Sequence, residues 1–154
     1  GYWKDVGTIN SLWEANMDLL GETPAFNIYG SAGRKIYARN YAMPSGFIAK
    51  GSEISDSFVA EGCEVYGSVR HSIISTGCTI GKGAEIRDSV IMPNVVIENG
   101  VKIDHAIIAE DSIIRAGATV GADQEGSLET LKISVVGKGT TISEGRVVAP
   151  GEIV

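Results

Sequence analysis

The sequence predicts a mainly β protein: a left-handed parallel β-helix of hexapeptide repeats, preceded by one α-helix and an irregular linker. Glycine occupies 20 of 154 positions while aromatic residues make up only 6%, a balance that disfavours an ordinary helical bundle. Apolar residues reach 44%, which excludes a disordered chain. From residue 48 onward aliphatic side chains recur at steps of five or six residues, the period of a parallel β-helix.

The first predicted element is an amphipathic helix over about residues 8–20. Thr8 is a suitable N-cap, and Gly21 is a suitable residue to end the helix. The apolar side chains follow helical spacing, at Ile9, Leu12, Trp13, Met17 and Leu20. We therefore expect one face of this helix to be buried against the rest of the molecule.

Residues 22–47 form the second predicted segment, an irregular linker. It contains Pro24, Pro44 and several aromatic residues, and it has no sustained hydrophobic period. Aromatic rings need a surface to cover them, so we expect the linker to pack on the solenoid and to cap one of its ends.

The β-helix is predicted for residues 48–154. Aligned repeats place one inward aliphatic column at spacings of 15, 17, 17 and 17 residues, namely Ile54, Val69, Ile86, Ile103 and Val120. Glycines between the aliphatic residues suit tight corners with positive φ, and the triangular hexapeptide form is left-handed, an exception to the usual crossover rule. Residues 121–135 interrupt the repeat and predict a projecting loop, either a partner contact or a tolerated insertion.

Composition narrows the classes of partner. The formal charge of −6 and the pI of about 4.9 argue against nucleic acid or an anionic membrane as the main partner. Cys63 and Cys78 are too few for a disulfide framework or a four-ligand zinc site, and they are interpreted as small buried residues in a reducing cytosol. No long apolar run occurs, so we expect a cytoplasmic chain, and its start without methionine indicates a piece of a longer protein.

Specific motifs carry a family resemblance. The opening GYWKDVGTINSLWEANMDLL, then FNIYG and KIYARNY, precede a hexapeptide region containing DSVIMPNVVIENGVKIDHAIIAEDSIIRAGATVG. Together they resemble the C-terminal part of bacterial glucose-1-phosphate adenylyltransferase, also called ADP-glucose pyrophosphorylase. The resemblance implies that residues 1–21 end a nucleotidyltransferase catalytic domain that makes ADP-glucose and pyrophosphate from ATP and glucose 1-phosphate for glycogen synthesis. It implies that the β-helix supports allosteric control and assembly of a homo-oligomer, a tetramer in the intact enzyme.

The same resemblance assigns roles near the start of the chain. Asp5, in a W-x-D-x-G-T motif, is implied to be one of two carboxylates that hold a catalytic Mg²⁺. The second carboxylate would lie upstream of Gly1, so we expect this chain alone to be inactive and to bind no metal. Trp3 is implied to form a wall of the substrate site, although a core anchor beneath the helix is equally compatible with the sequence.

Three arginines are candidates for binding a phosphorylated effector. Arg70 and Arg87 each follow the inward aliphatic residue, and stacked arginines can grip phosphate. The pattern favours the alternative, an exposed charge ladder in which the neighbouring Asp104 relieves the repulsion between the arginines. The position that the family uses for an effector-binding arginine falls at Asp111, which would repel phosphate, and Arg115 is the remaining candidate.

Two histidines leave a different class of function open. His71 and His105 share a corner column with Asp88 between them, too far apart for one metal ion at about 2 Å from each imidazole. One histidine as general base would fit an independent hexapeptide acyltransferase acting on a sugar or amine. Corner residues that bond to Asp88 or to solvent are the structural alternative.

Overall fold

A computed structural model describes residues 1–29 and 42–154, which form one helix and 17 strands. The helix is α1, Ile9–Met17. In chain order the strands are β1 Phe47–Ile48, β2 Glu53–Ser55, β3 Phe58–Val59, β4 Glu64–Val65, β5 Ser68–Arg70, β6 Ile73–Ile74, β7 Thr79–Ile80, β8 Glu85–Arg87, β9 Val90–Ile91, β10 Val96–Ile97, β11 Lys102–Asp104, β12 Ala106–Ile108, β13 Ile113–Ile114, β14 Thr119–Gly121, β15 Ser134–Val136, β16 Thr141–Ile142 and β17 Val147–Val148.

The strands stack into three parallel sheets, with one strand of each sheet contributed by every regular coil. Sheet 1 has the order β1-β4-β7-β10-β13-β16, sheet 2 the order β17-β14-β11-β8-β5-β2, and sheet 3 the order β15-β12-β9-β6-β3. The predicted column of Ile54, Val69, Ile86, Ile103 and Val120 is the register of sheet 2. The predicted fold class, a hexapeptide β-helix preceded by a helix, is confirmed.

The solenoid interior consists of stacked aliphatic columns. The largest fully buried side chains include Ile80, Ile86, Ile97, Ile103 and Ile114, each on a different strand. Burying a side chain of this size contributes about 1.5–3 kcal/mol, so the aliphatic repeat is the main source of stability. Cys63 and Cys78 are buried free thiols on adjacent coils, as the sequence predicts.

Glycine turns most corners, and one position shows why an alternative residue would fail there. Gly121 ends β14 at φ +72, and a Cβ on it would collide with the main-chain oxygen of Asp104. Residues 122–133 leave the coil directly after this glycine, and the chain rejoins sheet 3 at β15. The inserted loop therefore departs from a corner that only glycine fits.

Helix α1 begins where the sequence predicts and ends earlier. The Thr8 side chain accepts a hydrogen bond from the Ser11 amide, and the Ser11 hydroxyl accepts one from the Thr8 amide, forming a capping box. The helix ends at Met17, short of the predicted residue 20, because the Leu19 and Leu20 amides bond three residues back and tighten the last turn. Gly21, at φ +90, lies beyond this turn.

The outer face of sheet 3 receives α1. Its outward residues form an apolar column made by Phe58, Ile73, Val90, Ile107 and Val135. A second apolar cluster joins this column to Trp13, Met17 and Leu20, which are all buried. The helix is thus part of the solenoid's packing, as its amphipathic pattern predicts. Residues 30–41, which include part of the predicted linker and its proposed cap, lie outside the described residues.

Candidate functional site

The segment before α1 is tied to the helix by polar contacts. Lys4 Nζ lies 2.6 Å from a carboxylate oxygen of both Glu14 and Asp18, and the Tyr2 hydroxyl donates to Asp18 at 2.7 Å. Partial burial would raise the pKa of Asp18, but the hydrogen bonds from Lys4 and Tyr2 hold it below its usual value. The Tyr2 ring also contacts Phe26, with centroids 5.3 Å apart. Residues 2–4 therefore fold back along α1.

Asp5 lies between this anchored stretch and the helix cap. Its side chain is exposed, and Oδ1 accepts a hydrogen bond from the Gly7 amide at 3.0 Å. A hard divalent cation takes carboxylate oxygens, and Asp5 can offer its second oxygen to such an ion. Within the described residues no second and third ligating side chain surround it, so the geometry fits one ligand of a metal site that other residues would complete.

Trp3 does not anchor the core. Its side chain is 84% exposed, which excludes the core-anchor interpretation. The tryptophan that anchors α1 is Trp13, which is 7% exposed and donates from Nε1 to the Asp88 carbonyl at 2.7 Å. The role of Trp3 as a substrate-site wall stays a prediction.

One corner of the solenoid is built from alternating acidic residues and histidines. Asp56, His71, Asp88 and His105 occupy equivalent positions on four coils, with φ between 43° and 48°. His71 Nδ1 lies 2.6 Å from Asp88 Oδ1, and its Nε2 lies 3.9 Å from Asp56 Oδ2. We call this column the corner ladder. The predicted bond between a corner histidine and Asp88 is present at His71.

The corner ladder also contacts the α1 region directly. Asp56 Oδ1 accepts from the Gly21 amide at 2.7 Å, just beyond the helix. The imidazole of His105 stacks on Trp13 with centroids 5.6 Å apart. The helix region is thus attached to three residues of the corner ladder. Asp88 and Asp56 accept hydrogen bonds from it, and His105 stacks on it.

Three side chains that could ligate a metal ion lie close together at and beside the corner ladder. Among the described residues, Asp88, Asp104 and His105 are the one group of three metal-ligating side chains whose ligand atoms all lie within 4.8 Å. His105 Nδ1 lies 2.6 Å from Asp104 Oδ1, and Asp88 bonds to His71. The short distance between His105 and Asp104 is therefore explained by their own hydrogen bond, and the Asp88 carboxylate is already bonded to His71.

Stability of the ladder is expected to depend on pH through His71. The hydrogen bond to Asp88 raises the pKa of His71, burial opposes this, and the charges of Asp88 and Asp56 add to the increase. A pKa raised in the folded state gives stability that is complete below the unfolded value, about 6.5, and is lost as pH rises through the folded value. We expect thermal melting from pH 5.5 to 9 to show His71→Asn less stable than the parent at the acidic end only. An unchanged difference across the range would contradict this.

The candidate effector arginines fall on two faces. Arg70 and Arg87 line one shallow groove on sheet 2, together with Lys102. Arg70 pairs with Glu53 at 2.9 Å, and Arg87 pairs with Asp104 and Asp123 at 2.9 and 3.1 Å. These contacts match the charge-ladder interpretation.

Arg115 lies apart from that groove. It bonds to Glu98 at 2.7 Å, on the face of sheet 1. Asp111, at the position where the family has an effector-binding arginine, lies 4.0 Å from Lys138 and accepts from Asn94. The structure therefore does not bring the three predicted arginines together.

The inserted loop contacts α1. Asn10 Nδ2 donates to the carbonyl oxygens of Leu128 and Leu131 at 2.8 and 2.9 Å. The side chains of both leucines pack against the apolar cluster beneath the helix, and Ile133 is buried in it. Sequence reasoning left open whether this loop meets a partner; among the described residues the loop contacts α1 through Asn10 and sheet 2 through the Asp123–Arg87 pair.

Comparison with known families identifies the solenoid. The family model described as "GlmU-like, C-terminal hexapeptide" matches residues 43–142. The chain belongs to this family. The matched residues cover most of the coils and the corner ladder from Asp56 to His105.

Several curated relatives of this GlmU-like hexapeptide domain are named glucose-1-phosphate adenylyltransferase. Glucose-1-phosphate adenylyltransferase of Clostridium perfringens (strain 13 / Type A) is 45% identical over 144 residues, covering 94% of this chain and 36% of the relative. The enzyme of Desulforamulus reducens is 40% identical over 151 residues, covering 97% of this chain and 36% of the relative. The resemblance based on the motifs is confirmed, and the chain spans about a third of these relatives.

A solved structure shares the fold of the hexapeptide domain. A mutant of perosamine N-acetyltransferase from Caulobacter crescentus, in complex with CoA and GDP-perosamine, superposes with a TM-score of 0.56. The superposition covers 68% of this chain and 48% of the acetyltransferase chain. The two are 18% identical in sequence, so the likeness concerns the fold alone. The one helix among the described residues, α1, lacks the length and apolar character needed to cross a bilayer.

Two features of this hexapeptide domain escaped sequence reasoning. Asp and His take the positive φ of the corner ladder, a conformation that the sequence analysis assigned to glycine. The docking face for α1 also went unrecognised, although a sequence signal exists. Paired apolar residues recur where single inward ones would suffice, as in Ile73–Ile74, Val90–Ile91 and Ile107–Ile108, and the first of each pair points outward to α1.

Proposed function

We propose that this chain is the C-terminal oligomerisation and regulatory β-helix of a glucose-1-phosphate adenylyltransferase. The intact enzyme would convert ATP and glucose 1-phosphate into ADP-glucose and pyrophosphate for glycogen synthesis. The observation that carries the proposal is the segment from Tyr2 to Thr8, which joins a metal-compatible carboxylate to a helix docked on the β-helix. Two curated relatives of that name match 94% and 97% of the chain.

Asp5 would supply one ligand of Mg²⁺ in the intact enzyme. When bound, the ion neutralises charge on phosphate oxygens during nucleotidyl transfer. Asp5 holds its carboxylate toward solvent, and its bond to the Gly7 amide fixes one oxygen. Trp3, exposed two residues earlier, would flank the same substrate site. Since the second carboxylate and the phosphate-binding groups would come from an upstream catalytic domain, the isolated chain would be inactive and would not retain the metal.

The β-helix would serve assembly and control. We propose a cytoplasmic homo-oligomer, a tetramer in the intact enzyme, with the upstream catalytic domain as the intramolecular partner. A phosphorylated effector would bind at Arg70 and Arg87, which share a groove, with Arg115 as a separate candidate. Each arginine is paired with a carboxylate, so an anionic effector would have to displace Glu53, Asp123 or Glu98. We therefore expect effector binding to weaken steeply with salt.

The alternative is a hexapeptide acyltransferase that acts on a sugar or amine. The shared fold with an N-acetyltransferase favours considering it. The geometry of His105 argues against it, because a general base must reach the proton that it abstracts. The His105 side chain is 8% exposed, and it is enclosed by its bond to Asp104 and by the Trp13 ring.

An assay of both reactions tests the proposal. The full-length protein should form ADP-glucose and pyrophosphate from ATP and glucose 1-phosphate in the presence of Mg²⁺, while this chain by itself should not. Neither should transfer acetyl from acetyl-CoA to a sugar or amine. Acetyl transfer by the chain that is lost on His105→Ala would overturn the proposal in favour of the acyltransferase.

A further inference from the structure

Asn10 has an unusual position for a surface asparagine. It is the second residue of α1, five residues after Asp5, and its amide donates to two main-chain carbonyls of the inserted loop. Carbonyl oxygens only accept hydrogen bonds, so the chemistry of both partners fixes the NH₂ group of Asn10 toward the loop. One side chain thereby joins the start of the helix to residues 118 and 121 positions away in the chain.

The segment that carries Asp5 moves with α1. Lys4 bridges Glu14 and Asp18 on the helix, Tyr2 adds a bond to Asp18, and the Thr8 cap continues directly into the first turn. Because both ends of residues 2–8 are fastened to the helix, a displacement of the helix start displaces the Asp5 carboxylate as well.

The loop has its own anchors on the solenoid. Gln124 bonds twice to Lys132, donating to its carbonyl at 3.0 Å and accepting from its amide at 2.9 Å, which closes the loop on itself. Asp123 pairs with Arg87 in the sheet 2 groove, and Ile133 is buried at the other end. The loop is therefore a shaped element fixed to two sheets of the β-helix.

Hydrogen bonds attach the α1 region to the rest of the molecule at three places along its length. Trp13 attaches the middle of the helix to the corner ladder, and Gly21 attaches the segment just after the helix to the same ladder. The start of the helix has Asn10 as its described polar link to the solenoid side of the molecule. The orientation of the helix start, where Asp5 lies, depends most on the loop.

We propose that Asn10 is a positioning residue and that, through it, the inserted loop sets the placement of the Asp5 segment relative to the β-helix. We call the two hydrogen bonds from Asn10 to Leu128 and Leu131 the clamp. The role of Asp5 in this inference rests on the proposed function, while the clamp rests on the observed contacts. The loop is also held near its start by the ion pair between Asp123 and Arg87, so it connects the sheet 2 groove to the segment that would hold the metal. A ligand that draws Arg87 away from Asp123 would loosen one anchor of the clamp.

The test is Asn10→Asp in the full-length protein, with Asn16→Asp as the matched control. The Asn10 change keeps the side-chain shape and sets a carboxylate against two carbonyl oxygens, whereas Asn16 donates only to Leu12 within its own helix. We expect Asn10→Asp to raise the Mg²⁺ concentration at half-maximal rate about fivefold or more, since two hydrogen bonds are replaced by repulsion. The same ratio for Asn16→Asp should stay within about twofold of the parent.

Hydrogen exchange gives a readout that needs no activity. In Asn10→Asp, amides of residues 9–13 and 127–132 should lose protection while strands β7 to β11 keep theirs. Equal exchange in the Asn10 and Asn16 variants would overturn the clamp. Lost protection with unchanged Mg²⁺ dependence would overturn the positioning role. A parent protein that makes no ADP-glucose would refute the proposed function, and the exchange result would still decide the clamp.

Discussion

Asp5→Asn in the full-length protein is expected to lower kcat/KM for ADP-glucose synthesis at least about a hundredfold, because the proposed metal site would lose one charged ligand in the transition state. Asparagine can retain the bond that Asp5 Oδ1 accepts from the Gly7 amide, so the local turn should persist. The loss would therefore report the carboxylate charge and not a collapse of the segment. Raising Mg²⁺ should recover part of the rate.

The measurement is a steady-state assay of pyrophosphate release, with thermal melting of both proteins beside it. Asp5 is exposed and makes one described hydrogen bond, so the melting midpoint should change by no more than about a degree or two. Glu144→Gln offers a control, since it removes an exposed carboxylate between β16 and β17, outside both the Asp5 segment and the inserted loop. Near-parental activity in Asp5→Asn would show that this aspartate is not a metal ligand.

The β-helix was predictable because each coil repeats the same local problem. Each coil needs a buried aliphatic residue and a corner residue at a fixed spacing along the chain, and this spacing is visible in the sequence itself. The register of Ile86 on Ile103 and of Ile103 on Val120 follows from spacing alone. No knowledge of distant contacts was needed for this part of the fold.

The attachment of α1 was predictable only in part. Amphipathic spacing indicated that Trp13 and Met17 would be buried, but it did not indicate against what. The bond from Asn10 to Leu128 joins residues 118 positions apart, and no local pattern records such a partner. The corner ladder was missed for a related reason: positive φ favours glycine, yet Asp and, less often, His also adopt it when side-chain bonds compensate.

Helix α1 thus takes part both in the packing on sheet 3 and in the candidate metal site. The apolar face of α1 fastens it to sheet 3, and the polar residues around its start hold the Asp5 segment. A change beneath the helix should therefore affect both stability and the placement of Asp5. The residue where this coupling is concentrated is Trp13.

Trp13→Ala is expected to lower the free energy of unfolding of the docked helix by about 3–5 kcal/mol, since a large buried ring is lost and a cavity remains. The substitution also removes the donor to the Asp88 carbonyl and the stack on His105. The effect should be local: hydrogen exchange should show lost protection over residues 9–20, while the interior strands keep theirs, because the aliphatic columns form a separate cluster.

The matched control is Trp3→Ala, which removes the same side chain from a position that is 84% exposed. It should change stability by no more than about 0.5 kcal/mol. Trp13→Phe should have an intermediate effect, because it keeps a smaller ring in the cluster while it removes the Nε1 donor, at a cost of about 1–3 kcal/mol for the lost hydrogen bond. If Trp13→Ala and Trp3→Ala unfolded alike in urea, α1 would not depend on the corner ladder, and the position of the Asp5 segment would have to be set by the loop alone.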